Sequence, residues 1–107
     1  MAKYVLIFNG GGMPETEAEQ AAVMQAWGVW YEGLGSAVMD GGNPLSPMAR
    51  SIASDGAVSD GANGTPASGY TIISADTMDA AVTMAKGCPI LKDGGQISVY
   101  EAIEMAM

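Results

Sequence analysis

The sequence contains no histidine, a single cysteine (Cys88) and four basic residues among 107. Each shortage excludes a chemistry. Without histidine there is no imidazole to act as a general base near neutral pH or to ligate zinc. One cysteine excludes an internal disulfide framework and makes a reducing, cytoplasmic compartment the expectation. The bases, Lys3, Arg50, Lys86 and Lys92, are scattered. They form no cationic stripe, so nucleic acid and anionic membrane surfaces are not expected partners. No apolar run approaches the roughly 18–20 residues that a membrane helix needs. The opening Met1-Ala2-Lys3-Tyr4-Val5-Leu6-Ile7-Phe8-Asn9 mimics a signal peptide, but its apolar run is short and alternates like a strand. It is read as structure.

Cofactor and metal motifs are also missing. The glycines of Asn9-Gly10-Gly11-Gly12 lack the G-x-G-x-x-G spacing of a dinucleotide fingerprint, and no Gly-Lys-Ser/Thr follows them. There is no spaced carboxylate loop of the EF-hand kind. Neither a cofactor nor a metal is expected.

What the chain does have is acid, small residues and punctuation. Twelve acidic residues give a net charge of −8, which reads first as solubility and only second as an acidic binding face. The length suits one domain spanning 1–107. A domain of this size hides only about 65% of its unfolded surface, so a partner subunit would help its stability.

The alternation over residues 3–9 predicts a strand with Tyr4, Leu6 and Phe8 on one face and Lys3, Val5, Ile7 and Asn9 on the other. Thr16-Glu17-Ala18-Glu19 is a capping box that starts a helix. Val23, Trp27, Trp30 and Leu34 form its apolar stripe, and Gly33 and Gly35 end it. Ala37-Val38-Met39-Asp40 predicts a short second strand running into the turn-rich Gly41-Gly42-Asn43-Pro44-Leu45-Ser46-Pro47. Residues 48–68 are small and polar. They read as an excursion between strands, with a hairpin turn at Asp55-Gly56. Residues 69–75 predict the third main strand. Asp76 is the expected N-cap of a second helix that buries Met78, Ala81, Val82 and Ala85. Residues 96–103 predict the last strand, with Ile97, Val99, Glu101 and Ile103 toward the helices.

The order βαββαβ predicts an α+β, ferredoxin-like fold with both helices on one face of a mainly antiparallel sheet. Two helices cover one face only. The other face is expected to be covered by a second copy, giving a homodimer packed sheet to sheet.

Several blocks are family-like. They are Lys3-Tyr4-Val5-Leu6-Ile7, Trp27 with Leu34-Gly35, Gly42-Asn43-Pro44-Leu45, Gly69-Tyr70-Thr71-Ile72-Ile73, and Ala80-Ala81 with Ala85. The strongest is Gly87-Cys88-Pro89-Ile90-Leu91 with Gly94-Gly95-Gln96-Ile97-Ser98-Val99-Tyr100-Glu101. In this order and spacing the chain resembles the YCII-related proteins, including their DGPF-type branch. The resemblance implies a dimeric α+β barrel. The branch motif is reduced here to Asp60-Gly61-Ala62-Asn63. The histidine that some members carry on the first helix, proposed to pair with an aspartate, has no counterpart.

Candidate chemistry rests on carboxylates and rings. Glu101, in the helix-facing row, would be desolvated and biased toward its neutral form, which suits acid/base work. The plainer reading is a strand-end residue bending to solvent. Asp40 is expected to act with Glu101 as a carboxylate pair, or else to bond its own backbone in a turn, as Asn43 would. Asp60 matches the family's aspartate, in an ordinary Asp-Gly turn. Trp27, Trp30 and Tyr31 read as core packing or as the wall of a ligand cleft, with Asn43 and Tyr70 as further ligand contacts. Cys88 reads as a buried structural thiol, because no base is present to make the thiolate. Two functions stay open. One is a cofactor-independent enzyme moving a proton on a small substrate with Asp40, Asp60 or Glu101. The other is a non-catalytic ligand-binding or regulatory interaction module.

Overall fold

Strand β1 (Ala2–Asn9) shows the expected alternation: Tyr4, Leu6 and Phe8 are buried, while Val5 and Ile7 between them are half-buried. The computed structural model describes residues 2–11 and 15–105. Helix α1 (Glu17–Leu34) starts where the capping box places it, with the Thr16 hydroxyl accepting the Glu19 N–H at 3.1 Å. It ends at Gly35, whose φ of +56° is open to glycine and whose N–H reaches the Tyr31 carbonyl. Gly33 lies inside the helix and does not end it; the left-handed residue at Gly35 does.

Short strand β2 (Val38–Asp40) follows, then the excursion. Strands β3 (Arg50–Ile52) and β4 (Val58–Asp60) pair only with each other, as a separate antiparallel hairpin. Its turn is the expected one. The Gly56 N–H bonds the Ala53 carbonyl at 2.8 Å, Gly56 has φ +91°, and the Asp55 carboxylate accepts the Ala57 N–H at 2.9 Å. The turn is closed by a positive-φ glycine, as in a three-residue hairpin loop. Arg50 and Asp60 form an exposed ion pair across its base.

Strand β5 (Ala67–Ala75) begins two residues before the predicted start. Helix α2 (Met78–Ala85) is capped by Thr77 rather than Asp76. Thr77 is the residue with extended backbone (φ −142°, ψ 163°), and its hydroxyl accepts the Ala80 N–H at 3.1 Å. Ala81 and Ala85 are buried on α2 as expected, but Val82 is only half-buried and Met78 is exposed. A 3₁₀ turn (Pro89–Asp93) leads to strand β6 (Gln96–Ala102). Ile103 lies past the end of β6 and is 82% exposed, so it does not reach the helices.

The main sheet has the order β2-β5-β1-β6, with every neighbouring pair antiparallel. Both helices lie on one face, closing a core of Tyr4, Leu6, Phe8, Trp30, Ile73, Ala81, Ala85, Cys88 and Ile90. The Trp30 indole N–H donates to the Met84 carbonyl at 2.9 Å and ties α1 to α2. The molecule is therefore an α+β fold with a four-stranded antiparallel sheet and two helices. Among the described residues no helix is long and apolar enough to cross a membrane.

Among the described residues no helix covers the opposite face. Register places Ile72, Val5 and Tyr100 in one row across it, and Tyr70, Ile7 and Ser98 in the next. The molecule is a slab of 45 × 39 × 19 Å with a radius of gyration of 15.4 Å. A compact chain of this length would have a radius of about 13 Å. Its accessible surface, 7579 Å², exceeds by roughly 2000 Å² the area expected for its mass.

Candidate functional site

Trp27 and Tyr31 sit one turn apart on α1 and face β1. Trp27 meets Phe8 edge to face, with ring centroids 5.4 Å apart at 74°, and meets Tyr31 at 6.0 Å. Opposite them runs the segment after β2, fixed to the edge of β5 by its own polar groups. The Asp40 carboxylate accepts the Gly42 N–H at 2.8 Å. The Asn43 carbonyl accepts the Tyr70 N–H at 3.3 Å, and the Leu45 N–H donates to the Ser68 carbonyl at 2.9 Å. Gly42 is required twice over: its φ is +72°, and a β-carbon there would run into the Tyr70 carbonyl.

Between these walls lies a cleft of about 710 Å³, bordered by Phe8, Trp27, Tyr31, Asn43, Ser68 and Tyr70, and by glycines of two loops, of α1 and of β5. Its size falls within the about 300–1000 Å³ typical of small-molecule sites, and most of its lining is apolar.

Three oxygens meet at the inner end of the Tyr31 ring. The Tyr31 hydroxyl is 2.9 Å from the Gly41 carbonyl and 3.1 Å from the Thr71 hydroxyl. The Thr71 hydroxyl is itself 3.1 Å from the same carbonyl. The two hydroxyls carry one proton each, so only two of the three contacts are hydrogen bonds at a time. Thr71 is fully buried, and the network satisfies it. Burial raises the Tyr31 phenol above its usual range. The Thr71 hydroxyl opposes this, and the acidic groups of Cys88 and Asp40 add to it. Tyr31 is therefore a neutral phenol at physiological pH.

Ser68 is different. Its Oγ is buried and has no hydrogen-bond partner among the described residues, yet Ser68 borders the cleft. An unpaired buried hydroxyl costs about 1–3 kcal/mol. A ligand group or water in the cleft would remove that cost.

The predicted site residues divide. Trp27, Tyr31, Asn43 and Tyr70 meet around the one cleft, and the Asn43 Nδ2 lies 3.4 Å from the Tyr70 hydroxyl. Trp30 does not join them. It turns toward α2, its indole N–H is used by Met84, and it borders a shallower depression on the other side of α1. The three carboxylates do not meet and do not line the cleft. Asp40 is on edge strand β2 and Glu101 on the opposite edge strand β6. Three strand spacings separate those edges, about 14 Å. Asp40 holds a turn, as its plainer reading had it. Asp60 pairs with Arg50 on the hairpin. Glu101 does stand opposite Tyr4 in the helix-facing row, but it is exposed rather than desolvated.

Cys88 is buried, and that burial raises its thiol to about 11, against a smaller opposing pull from the Ile90 backbone. It stays protonated near neutral pH and is not a nucleophile. Among the described residues no three His, Cys, Asp or Glu side chains gather as a metal site.

Sequence reasoning missed Phe8 as a cleft wall, Ser68, and Asp93 at the border. Alternation places Phe8 on one face of the first strand and does not show that this face borders a cleft. The Gly41-Gly42 pair was the available signal for a close approach of two backbones. No family model matches the chain, and no curated protein matches it significantly.

Proposed function

We propose that this chain is a small-molecule-binding protein whose ligand occupies the cleft beside Trp27, without acid/base chemistry from Asp40, Asp60 or Glu101. One observation carries the reading. Among the described residues the aromatic cleft contains none of those carboxylates, and Asp93, the only charged one on its border, is exposed. A proton-transfer site needs a desolvated or specifically paired group within reach of substrate. This cleft offers rings, an amide and hydroxyls instead.

The architecture belongs to the same proposal. The strand order β2-β5-β1-β6, with a helix crossing over in each half, supports a ferredoxin-like reading and a place among YCII-related proteins. Assembly as a sheet-to-sheet homodimer is supported by the bare apolar row Ile72-Val5-Tyr100 and by the excess surface. Were each copy to hide roughly 2000 Å², the pair would bury about 4000 Å², within the range of obligate dimers. A cytoplasmic setting fits the lone, buried, protonated thiol.

A thermal-shift screen of small metabolites tests the binding reading. A ligand at one hundred times its Kd stabilises the folded state by about 2.7 kcal/mol, which raises Tm by about 10 °C in a domain this small. Glu101→Gln should leave that shift intact. A ligand whose binding and turnover are both lost in Glu101→Gln would return the enzyme reading.

A further inference from the structure

We propose that the cleft discriminates by charge: it takes planar apolar molecules that are neutral or cationic and rejects anions. This inference rests on the binding reading and adds the class of ligand.

Charge around the cleft is one-sided. Among the described residues no Lys or Arg borders it, and Asp93 is its only ionic side chain. The four bases of the chain are placed elsewhere. Lys3 is on an exposed position of β1, Arg50 is paired with Asp60, Lys86 follows α2, and Lys92 borders the depression on the far side of Trp30. Three backbone donors of the cleft wall are already engaged. The N–H groups of Gly42, Leu45 and Tyr70 are already taken by Asp40, Ser68 and Asn43. A carboxylate or phosphate entering the cleft would lose its hydration and find no cationic side chain among the described lining residues to replace it. The net charge of −8 adds repulsion on approach.

Shape points to a flat ligand. Phe8, Trp27 and Tyr31 supply ring surface. Gly10, Gly11, Gly28, Gly41, Gly42 and Gly69 border the space and present no side chains to hold a ring off the backbone. The unpaired Ser68 hydroxyl supplies one buried hydrogen-bonding point, which suits a single polar group on an otherwise apolar molecule. A cation gains further from the ring faces and from Asp93 at the border.

Three probes with one ring system and different charge test this: indole (neutral), tryptamine (cation) and indole-3-acetate (anion). Each is titrated into the full-length chain at neutral pH, with two-dimensional NMR following the indole N–H signals of Trp27 and Trp30. Gly28→Leu locates the binding. Gly28 borders the cleft with nothing within 4 Å of an added β-carbon, so leucine enters the space without a backbone clash. Gly28→Ala, with the same backbone change and a smaller side chain, guards against misfolding.

Tryptamine and indole should shift Trp27 saturably, with indole-3-acetate at least tenfold weaker. Gly28→Leu should abolish the shifts while Gly28→Ala retains them. Asp93→Asn should remove the lead of tryptamine over indole and leave indole unchanged within twofold. Indole-3-acetate binding as tightly as tryptamine overturns the charge inference and leaves the binding reading standing. A tryptamine lead that persists in Asp93→Asn overturns the part given to Asp93. No saturable shift with any probe at millimolar concentration, or shifts that survive Gly28→Leu, overturns both.

Discussion

β1 runs through the interior of the sheet with apolar residues at its middle on both faces, and the two faces differ in what lies above them. Leu6 has helices over it and is 0% exposed, while Val5 and Ile7, equally apolar, stay half-buried. The sequence pattern of β1 is apolar on both sides, as expected of a strand covered twice. The chain supplies one of those covers. The difference teaches that apolar side chains on one face of β1 stay half-buried in the single chain, and that this face and the cleft are separate features. The cleft opens toward α1, where Trp27 and Tyr31 leave room beside the core. The bare face offers a broad flat surface with Tyr100 60% exposed.

Substitutions sharpen this contrast. The largest effect should come from Leu6→Ala on the covered face, at about 3–5 kcal/mol of stability lost in urea denaturation. Ile7→Ala, one residue on, should cost under about 1.5 kcal/mol in dilute protein. Its cost should rise toward that of Leu6→Ala with concentration if a second copy covers the face. An equal, concentration-independent cost for both would erase the contrast between the faces.

Gly42→Ala comes next, at about 1–3 kcal/mol, because φ +72° is strained for alanine and its β-carbon meets the Tyr70 carbonyl. Amide exchange should quicken at Tyr70 and Leu45, the donors that hold this segment to β5.

The buried thiol gives a pH signature. Cys88 is raised from an ordinary value of 9.0 to about 11, so the folded state favours the protonated form. Its contribution is complete below pH 9 and is lost as pH rises from there through about 11. Cys88→Ala should flatten the stability profile over that window, measured by denaturation at each pH. A profile unchanged by the substitution would place the alkaline loss on other groups.

Tyr31→Phe should be milder, at about 0.5–1.5 kcal/mol, because Thr71 can still donate to the Gly41 carbonyl. Thr71→Val in the same background should cost more than it does alone, since each hydroxyl can serve that carbonyl in the other's absence. The double-mutant cycle in denaturant measures this coupling. Smallest of all, Gly28→Ala should gain up to about 1 kcal/mol from helix propensity alone.

Much of the fold was legible because its signals are local. Thr16 and Glu19 mark the start of α1 within four residues, and Asp55-Gly56 fixes its hairpin by turn chemistry. Where two local signals stand side by side, the sequence is ambiguous: Asp76 and Thr77 are both good caps, and only backbone geometry selects Thr77. Periodicity assigns faces but not cover. It placed Glu101 in the correct row, yet could not show that this end of the row is exposed. Nor does it place strands across a sheet, so Asp40 and Glu101 were paired although strand order sets them on opposite edges.

The rings illustrate the same limit. Trp30 and Tyr31 follow Trp27 by three and four residues, which puts them on either side of it around the helix. Trp30 turns to α2, and Tyr31 turns to the cleft. Ser68 was invisible for a physical reason. Its unpaired hydroxyl and its place on the border arise only when the segment after β2 docks on β5, more than twenty residues away in sequence.

The most direct measurement is sedimentation equilibrium of the wild-type chain and Ile72→Lys at micromolar concentration. Wild type should have twice the 10.9 kDa mass of one chain. The lysine variant, with a charge set in the centre of the bare face, should fall to the single-chain mass while keeping its circular dichroism. A wild-type chain that stays at the single-chain mass throughout would contradict the claim that this slab is half of a larger unit.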